Sequence, residues 1–534
     1  EDTDGDWKAD KFTVFAEGLS IPTAMAFWKG GVLVQNGVET LYFKDTNNDD
    51  VADSREVVYT GWNLGDTHGG VSNFQYGLDN WIWSMQGYND STPKHGDKTY
   101  QNFRQGFFRF NPQDFEVEFV RPTDNNTLGL VISEEGLIFG STANHNPSVF
   151  MPIANRYYEQ VLGWRASLTL STIADTHLFK PITDKIRQMD HHGGYTAGAG
   201  HALYTGRSYP KEYWNRTAFV NGPTGHLVGT FVLTPDGAGF RSTSPFNLIA
   251  SDDEWAAPIM TELGPDGNMW MIDWYNYIIQ HNPTPHGFET GKGNAYETDL
   301  RDKKHGRIYR IVGPTEDPKP LNLAGATTAQ LVETLRHPTS LWRKHAQRLL
   351  VERQAKDAIP ALLKLLADPN VDEIGLNVGA IHALWTLHGL GAIAEQQTAV
   401  MNAVAKALEH RSAGVRRNAL QVSVKNRALV DAIEKQKLLY DAEPQVRLAA
   451  FLALADCDPT IVDSNQVGSL LVAAISDPVN YPDRWLRDAA TSASARHAGT
   501  FLVSVQKLKT LPVDVQAICE VVSEHFARSQ AGKS

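Results

Sequence analysis

The sequence predicts two architectures in series, an all-β half followed by an all-α half. Three observations carry this. Of 43 glycines 34 lie at or before Gly313, and so do 10 of 13 tryptophans, the balance of a turn-rich aromatic β-domain. Short alternating runs punctuated by Gly or Pro recur every 40–50 residues in that half. Beyond a proline-rich stretch, Ala, Leu and Val recur at helical spacing, with Pro or Asp at the turns.

The first β-unit is Ile21–Phe27, Gly31–Gln35 and Thr40–Lys44. Further units follow at Gly70–Ser84 with Gly106–Phe110 and Glu116–Val120, at Leu128–Gly140, at Thr217–Asn221 with Leu227–Leu233, and at Ile259–Asp273 closed by Gly306–Val312. Such a period of short strands is the signature of a β-propeller. Five or six blades are expected, six being preferred, with the set incomplete at the N-terminus because no strands precede the first acidic loop. A turn phrase recurs as Gly-Leu-Asp-Asn-Trp at 77–81 and Gly-Pro-Asp-Gly-Asn-Met-Trp at 264–270, as hairpins of repeated blades would. Segment 150–200 fits no blade and is expected to be an insertion over one face.

In the second half, Trp342–Ala346, Asn377–Ile381, Val415–Ala419, Val446–Ala450 and Trp485–Ala489 are equivalent phrases whose starts fall 35, 38, 31 and 39 residues apart. Two-helix units that bury their apolar faces only against neighbours give this pattern, so a HEAT-type α-solenoid is expected. The expected boundaries are a propeller at 1–313, a linker at 314–320 and a solenoid at 321–534.

Two acidic loops lie 43 residues apart: Asp2, Asp4, Asp6 and Asp10, then Asp45, Asn47, Asp49, Val51, Asp53 and Glu56. Oxygen ligands at positions 1, 3, 5 and 9, a backbone carbonyl at 7 and a carboxylate at 12 suit Ca²⁺. The second loop has the whole set. The first has Thr13 at position 12 and should bind more weakly. Solvated acidic turns are the alternative.

The totals exclude several classes. A net charge of −12 argues against nucleic acid as the main partner. No apolar run is long enough to span a membrane. The only cysteines, Cys457 and Cys519, form neither CxxC nor CxxCH, so no covalent haem site is present in this stretch. The β-half holds 11 of 18 histidines, many on glycine-rich connections: His68, His145, His192 and His201 are the candidate catalytic set, with Asp273 and Tyr275. Arg301, His305 and Arg307 follow in a stretch rich in cations, amides and rings, which suits a sugar ring and an acidic cofactor. The alternative for Asp273, Arg301 and Arg307 is a structural latch that closes a blade.

The stretches DWYNYIIQHNP and RDKKHGRIYRI, the opening DTDGD and the loop GDTHGG resemble the bacterial membrane-bound dehydrogenase family. That family combines a propeller with HEAT repeats, often with a C-terminal cytochrome c, and is similar to glucose/sorbosone dehydrogenases that use pyrroloquinoline quinone (PQQ). The resemblance covers about residues 1–313. It implies an exported, periplasmic or extracellular sugar-oxidising protein, with a leader already removed, Ca²⁺ and PQQ as cofactors and a cytochrome c as electron acceptor. His68 is then the base that takes the substrate hydroxyl proton, and Arg301 and Arg307 face the anionic cofactor. Two other readings stay open. One is a polysaccharide lyase using Asp190-His191-His192, Tyr195, His201 and Arg207; the other is a non-catalytic glycan- or protein-binding scaffold.

Overall fold

The structure is a computed structural model describing all residues except 1, 7, 187–192, 281–283, 285, 292–296, 316–320 and 532–534. In the N-terminal half, alternating apolar residues fold into five antiparallel sheets in chain order. Sheet 1 is β1 (Pro22–Trp28), β2 (Gly31–Asn36), β3 (Glu39–Lys44) and β4 (Ser54–Tyr59). Sheet 2 runs from β5 (Val71–Tyr76) through β6 (Ile82–Gln86) and, past the short hairpin β7 (Lys94–His95) and β8 (Lys98–Thr99), to β9 (Gly106–Phe110) and β10 (Val117–Pro122). Sheet 3 is β11 (Thr127–Ile132), β12 (Ile138–Thr142) and β13 (Val149–Met151). Sheet 4 holds β14 (Ala199–Leu203), β15 (Thr217–Gly222), β16 (Leu227–Asp236) and β17 (Gly239–Thr243), with β18 (Asn247–Ala250) on β16. Sheet 5 is β19 (Pro258–Leu263), β20 (Met269–Asp273) and β21 (Arg307–Ile311).

Period-two alternation sends neighbouring side chains to opposite faces, and in sheets 2, 3 and 4 both faces are buried. Phe108 joins the layer between sheets 1 and 2, and adjacent Phe107 the layer between sheets 2 and 3. Val131 packs toward sheet 4, while Leu130 and Ile132 pack toward sheet 2. Leu203 and Ala202 divide likewise between sheets 3 and 5. Four apolar layers therefore join five sheets. The first strands β1, β5, β11, β14 and β19 pack against one another in succession.

The recurrent turn phrase is structural. Asp79 accepts the Trp83 indole N–H at 3.0 Å and Arg109 at 2.6 Å. Asp266 accepts Trp270 at 2.9 Å and Arg310 at 2.5 Å. Trp83, not Trp81, is thus the equivalent of Trp270. Segment 150–200 carries the one-turn helix α1 (Arg156–Glu159) and then reaches from the end of β10 in sheet 2, where Leu170 pairs with Thr123, to sheet 4, where Ala174 pairs with Ser242.

The C-terminal half has twelve further helices among the described residues. An inner row, each member packed on the next, comprises α3 (Ser340–Glu352), α5 (Val378–Gly389), α7 (Ala413–Val422), α9 (Pro444–Ala455), α11 (Arg484–Arg496) and α13 (Val513–Ala531). Behind it lie α2 (Thr328–Thr334), α4 (Ile359–Leu366), α6 (Thr398–Ala407), α10 (Ser464–Ile475) and α12 (Ala498–Val505), and α8 (Arg427–Lys435) packs on the turn Leu438–Tyr440. All five repeated phrases begin inner-row helices. Arg343, Arg416, Arg447 and Arg487 each donate to the carbonyl six residues earlier, at His337, His410, Asp441 and Tyr481. That bond ties each inner helix to its preceding turn and explains why arginine recurs in the phrase.

The helices meet one end of the sheet array. Contacts come from the turn after each first strand: Lys29 to Glu352, Leu78 to Gln347, Glu134 to Arg343, Thr205 to Ser340, and Pro265 to Trp342. The α3 helix therefore lies across the ends of all five inner strands. Further along, Asn418 of α7 donates to the Glu135 carbonyl, and Asp483 at the start of α11 accepts from Ala238 N–H.

Candidate functional site at the open end

The opposite end carries the connections into each first strand and the turns between second and third strands. Those turns hold a left-handed residue in four sheets: Gly37, His145, His226 and Tyr275, at φ of 60°, 64°, 56° and 53°. Glycine takes that conformation freely, whereas a large L-residue costs on the order of 1–2 kcal/mol. Left-handed non-glycine residues also occupy turns at the helix-covered end, at Lys29 and Asn80.

Hydrogen bonds tie the turns into one belt. Asn126 donates to the His68 carbonyl at 3.1 Å and accepts from Tyr88 N–H at 3.0 Å. The Tyr88 hydroxyl donates to Asn125 at 2.7 Å, and Thr196 donates to Asn144 at 2.6 Å. His145 takes the Tyr195 carbonyl through its backbone N–H, and its ring lies 5.6 Å from that of His177. His226 Nδ1 donates to the Ala256 carbonyl at 2.7 Å, which reaches sheet 5.

At sheet 5 the belt meets an aromatic wall. Trp255 lies 5.8 Å from Tyr275 and 5.6 Å from Tyr277, ring centre to ring centre. The Arg307 guanidinium stacks 3.9 Å over Tyr275. Trp255 also lines a cavity of about 920 Å³ with Arg301, Asp302, Lys303, Lys304 and His305. Here His305 Nδ1 meets Asp302 Oδ2 at 2.5 Å, and the imidazole is otherwise exposed. The Lys304 N–H, then the His305 side chain, hold the Asp302 carboxyl down to about 2. An ionised carboxylate fixes the imidazole with Nδ1–H toward it, leaving Nε2 to accept a proton.

The expected residues fare unequally. His68 and His145 lie on open-end connections, as does Tyr275. His192 falls outside the described residues, as do Asp190 and His191. His201 is not at the mouth: its side chain is 1% exposed, stacks on Phe139 and meets Ser148 at 3.3 Å. Burial pushes its imidazole down to about 3, so it is a neutral core group. Asp273 is 1% exposed and accepts from Ala257 N–H at 2.7 Å and Arg307 at 2.9 Å. It is therefore a latch, with no free oxygen to act as acid or base, and Arg307 is committed to it and to Asp253 at 3.4 Å. Arg301 donates to the Gln280 carbonyl at 3.1 Å beside the cavity. Tyr195 is buried at this end, whereas Arg207 bonds Glu134 and Asp372 at the helix-covered end, so the lyase set is not brought together. Trp255, Tyr277 and Asp302 were not among the expected site residues. The i, i+3 spacing of Asp302 and His305 was the available signal.

The neutral state of His201 has a pH consequence. The unfolded chain takes up its proton near 6.5 and the folded one near 3. The contribution is fully present above about pH 6.5 and declines as pH falls toward 3. Urea midpoints should drop between pH 7 and pH 5, and His201→Gln should flatten that drop. Parallel pH profiles for the two proteins would contradict this.

The acidic loops share one geometry. Thr3 donates to Asp10 through N–H and hydroxyl at 2.9 Å, and Thr46 to Asp53 at 3.1 and 2.7 Å. Carboxylate oxygens of Asp2, Asp4 and Asp10 lie within 4.8 Å of one another. Both loops also turn carboxylate oxygens onto their own backbone: Asp2 accepts from Gly5 N–H at 2.7 Å and Asp45 from Asn48 N–H at 2.7 Å, while Glu56 sits in β4 opposite Tyr42.

No described helix is long and apolar enough to cross a membrane. Residues 1–314 match the family described as Domain of unknown function (DUF7133). No curated protein matches the chain. Similar solved structures include a luciferin-regenerating enzyme, at 9% identity over 56% of this chain and 80% of that one, TM-score 0.30. Others are a glucose dehydrogenase-type oxidoreductase of Thermus thermophilus and the PQQ domain of pyranose dehydrogenase from Coprinopsis cinerea. Each shows 12% identity over 48% of this chain and 91% of the other, TM-score 0.25.

Proposed function

Because the chain belongs to the family described as Domain of unknown function (DUF7133), whose match takes in all five sheets, we propose that its activity resides in the β-half. In this reading the open end is the carbohydrate site of an exported, sugar-oxidising dehydrogenase. The sheets are blades of a propeller at 1–313, and the helix pairs beyond the linker at 314–320 are a HEAT-type solenoid at 321–534. The observation that carries the proposal is the Asp302–His305 pair on a cavity walled by Trp255. Aromatic rings take the apolar face of a sugar ring, and flanking carboxylates and amides take its hydroxyls. In this reading His305, bonded to an ionised carboxylate, is the base.

PQQ is a planar tricarboxylate. Arg307 does not suit it, being paired with Asp273. Arg301, Lys303 and Lys304 line the cavity and would be the groups to meet its carboxylates, but Glu289, Glu297, Asp299 and Asp302 line it too and Lys303 pairs with Glu297 at 3.5 Å, so the lining is mixed in charge; Trp255 offers a ring face. When bound, the quinone supplies the hydride acceptor. The chain's own part is to orient the hydroxyl, exclude water with Trp255, and move the hydroxyl proton to His305 Nε2. A cytochrome c would then receive the electrons.

Titration of the chain with PQQ, followed by tryptophan quenching, tests the cofactor, and glycan-array binding tests the sugar site. Trp255→Ala should weaken sugar binding by about 3–10-fold. Sugar binding with no dye reduction in the presence of quinone would leave a binding scaffold. Absence of sugar binding in a folded protein would remove the proposal.

We also assign Ca²⁺ to the first acidic loop. Calcium should raise the melting temperature of the wild type, and Asp10→Ala should lose that rise, while Asp49→Ala keeps most of it. An equal loss in both variants would restore the second loop as the stronger site.

A further inference from the structure

The joint between the two halves holds a cavity of about 180 Å³ that no part of the open-end site uses. Its apolar lining is Val120, Ile132, Ile138 and Met151, from β10, β11, β12 and β13, with Leu452 of α9. The indoles of Trp83 and Trp385 also line it. Arg156 and Gln421, both exposed, mark where it opens to solvent. Three guanidinium groups, those of Arg109, Arg156 and Arg417, face a single lining carboxylate, Asp79.

We propose that this cavity binds a small organic monocarboxylate, its carboxylate on the Arg417 guanidinium and its apolar body against the aliphatic lining. Asp79 is fully used, accepting from Arg109 at 2.6 Å, the Trp83 indole N–H at 3.0 Å and the Trp81 backbone N–H at 3.2 Å. Arg109 is satisfied by Asp79 and by Glu118 at 2.5 Å, and Arg156 by Asp456 at 2.7 Å. Arg417 differs. Among the described residues it bonds no carboxylate, and the acid group of Glu135 is taken by Arg216 at 3.1 Å and Asn215 at 2.5 Å. Arg417 Nη1 donates to the Glu135 carbonyl at 2.8 Å and to Gln421 at 3.3 Å, while Nη2 reaches the Gly136 carbonyl only at 3.5 Å. The Nε and Nη2 edge, which no short bond takes up, is the edge that grips a carboxylate with two parallel N–H donors.

Size and lining set the rest of the ligand. An apolar cavity of about 150 Å³ takes a benzene ring, so this one suits a body of that size carrying one carboxylate. Inorganic phosphate would meet Arg417 but leave the aliphatic lining unfilled. A sugar would set hydroxyls against that lining without partners. The site is therefore distinct from the open-end carbohydrate site and does not rest on it. Because sheets 2 and 3 and helices α5, α7 and α9 all contribute, the bound anion ties the two halves together, and occupancy stabilises the folded chain.

The test is titration of the full chain with benzoate at pH 7, read by tryptophan fluorescence and calorimetry. Benzoate should saturate one site, and benzamide, its neutral isostere, should bind at least about tenfold more weakly, the difference a charge-assisted bond makes. Inorganic phosphate at equal concentration should not displace benzoate. Arg417→Gln should weaken benzoate at least about tenfold and leave benzamide as it was, a split that a merely structural role would not give. Leu452→Trp, which fills the lining and leaves Arg417 in place, should block both compounds in a protein that is folded by circular dichroism. Absence of saturable benzoate binding, equal binding of benzamide, or benzoate binding unchanged in both variants overturns the proposal. Displacement by phosphate would overturn the need for an apolar body.

Discussion

Replacing Glu134 by Gln is expected to lower stability by about 3–5 kcal/mol, the cost of breaking a buried ion pair and leaving a charge without its partner. Glu134 and Arg343 are both 0% exposed and bonded to each other, and Arg207 adds a second contact to Glu134 at 3.0 Å. Burial pulls the Arg343 guanidinium below its ordinary value, and Glu134 is the carboxylate bonded to it. Glu134 follows β11 and Arg343 is in α3, so the loss falls on the joint between the two halves. Chemical unfolding followed by tryptophan fluorescence and by helical circular dichroism should show both transitions moving to lower denaturant, and limited proteolysis should cut faster between residues 313 and 327. A double variant, Glu134→Met with Arg343→Met, should recover much of the loss, because it removes the stranded charge. Midpoints unchanged in Glu134→Gln would show that the pair holds nothing together.

On the proposed reading, in which the open end oxidises a sugar, His305→Ala should reduce that turnover by about 10²–10⁴-fold, the range for removing a general base, with little change in sugar affinity. Asp302→Asn should give a smaller loss in turnover, because an amide still reaches the ring nitrogen but no longer fixes its tautomer. His68→Ala keeps the backbone carbonyl that accepts from Asn126 and should leave the fold intact. A large loss in His68→Ala with none in His305→Ala would return the base to the residue that the sequence favoured.

The division of the chain was legible because each half has its own period. Alternation in Phe107–Phe108 or Leu130–Val131 reports two buried faces, and the arginine phrase reports a bond that every inner helix bearing it makes. The site was less legible. Glycine-rich surroundings placed His68 and His145 on open-end connections, but the same cue mistook His201, whose flanking glycines let β14 pass closely under neighbouring sheets. Gly129 and Gly200 meet there, with no room for side chains. Asp273 was singled out for its polar company, yet that company is Arg307, which consumes it. Ligand spacing suggested the fuller calcium loop at 45–56, whereas both loops close carboxylate oxygens on their own N–H groups. Spacing alone does not encode that.

The position of α3 across the inner strands gives the sheets a common support. The turn after each first strand bonds this one helix, so a displacement of α3 reaches all five sheets together. Strain applied to one sheet is therefore shared with its neighbours rather than relieved locally.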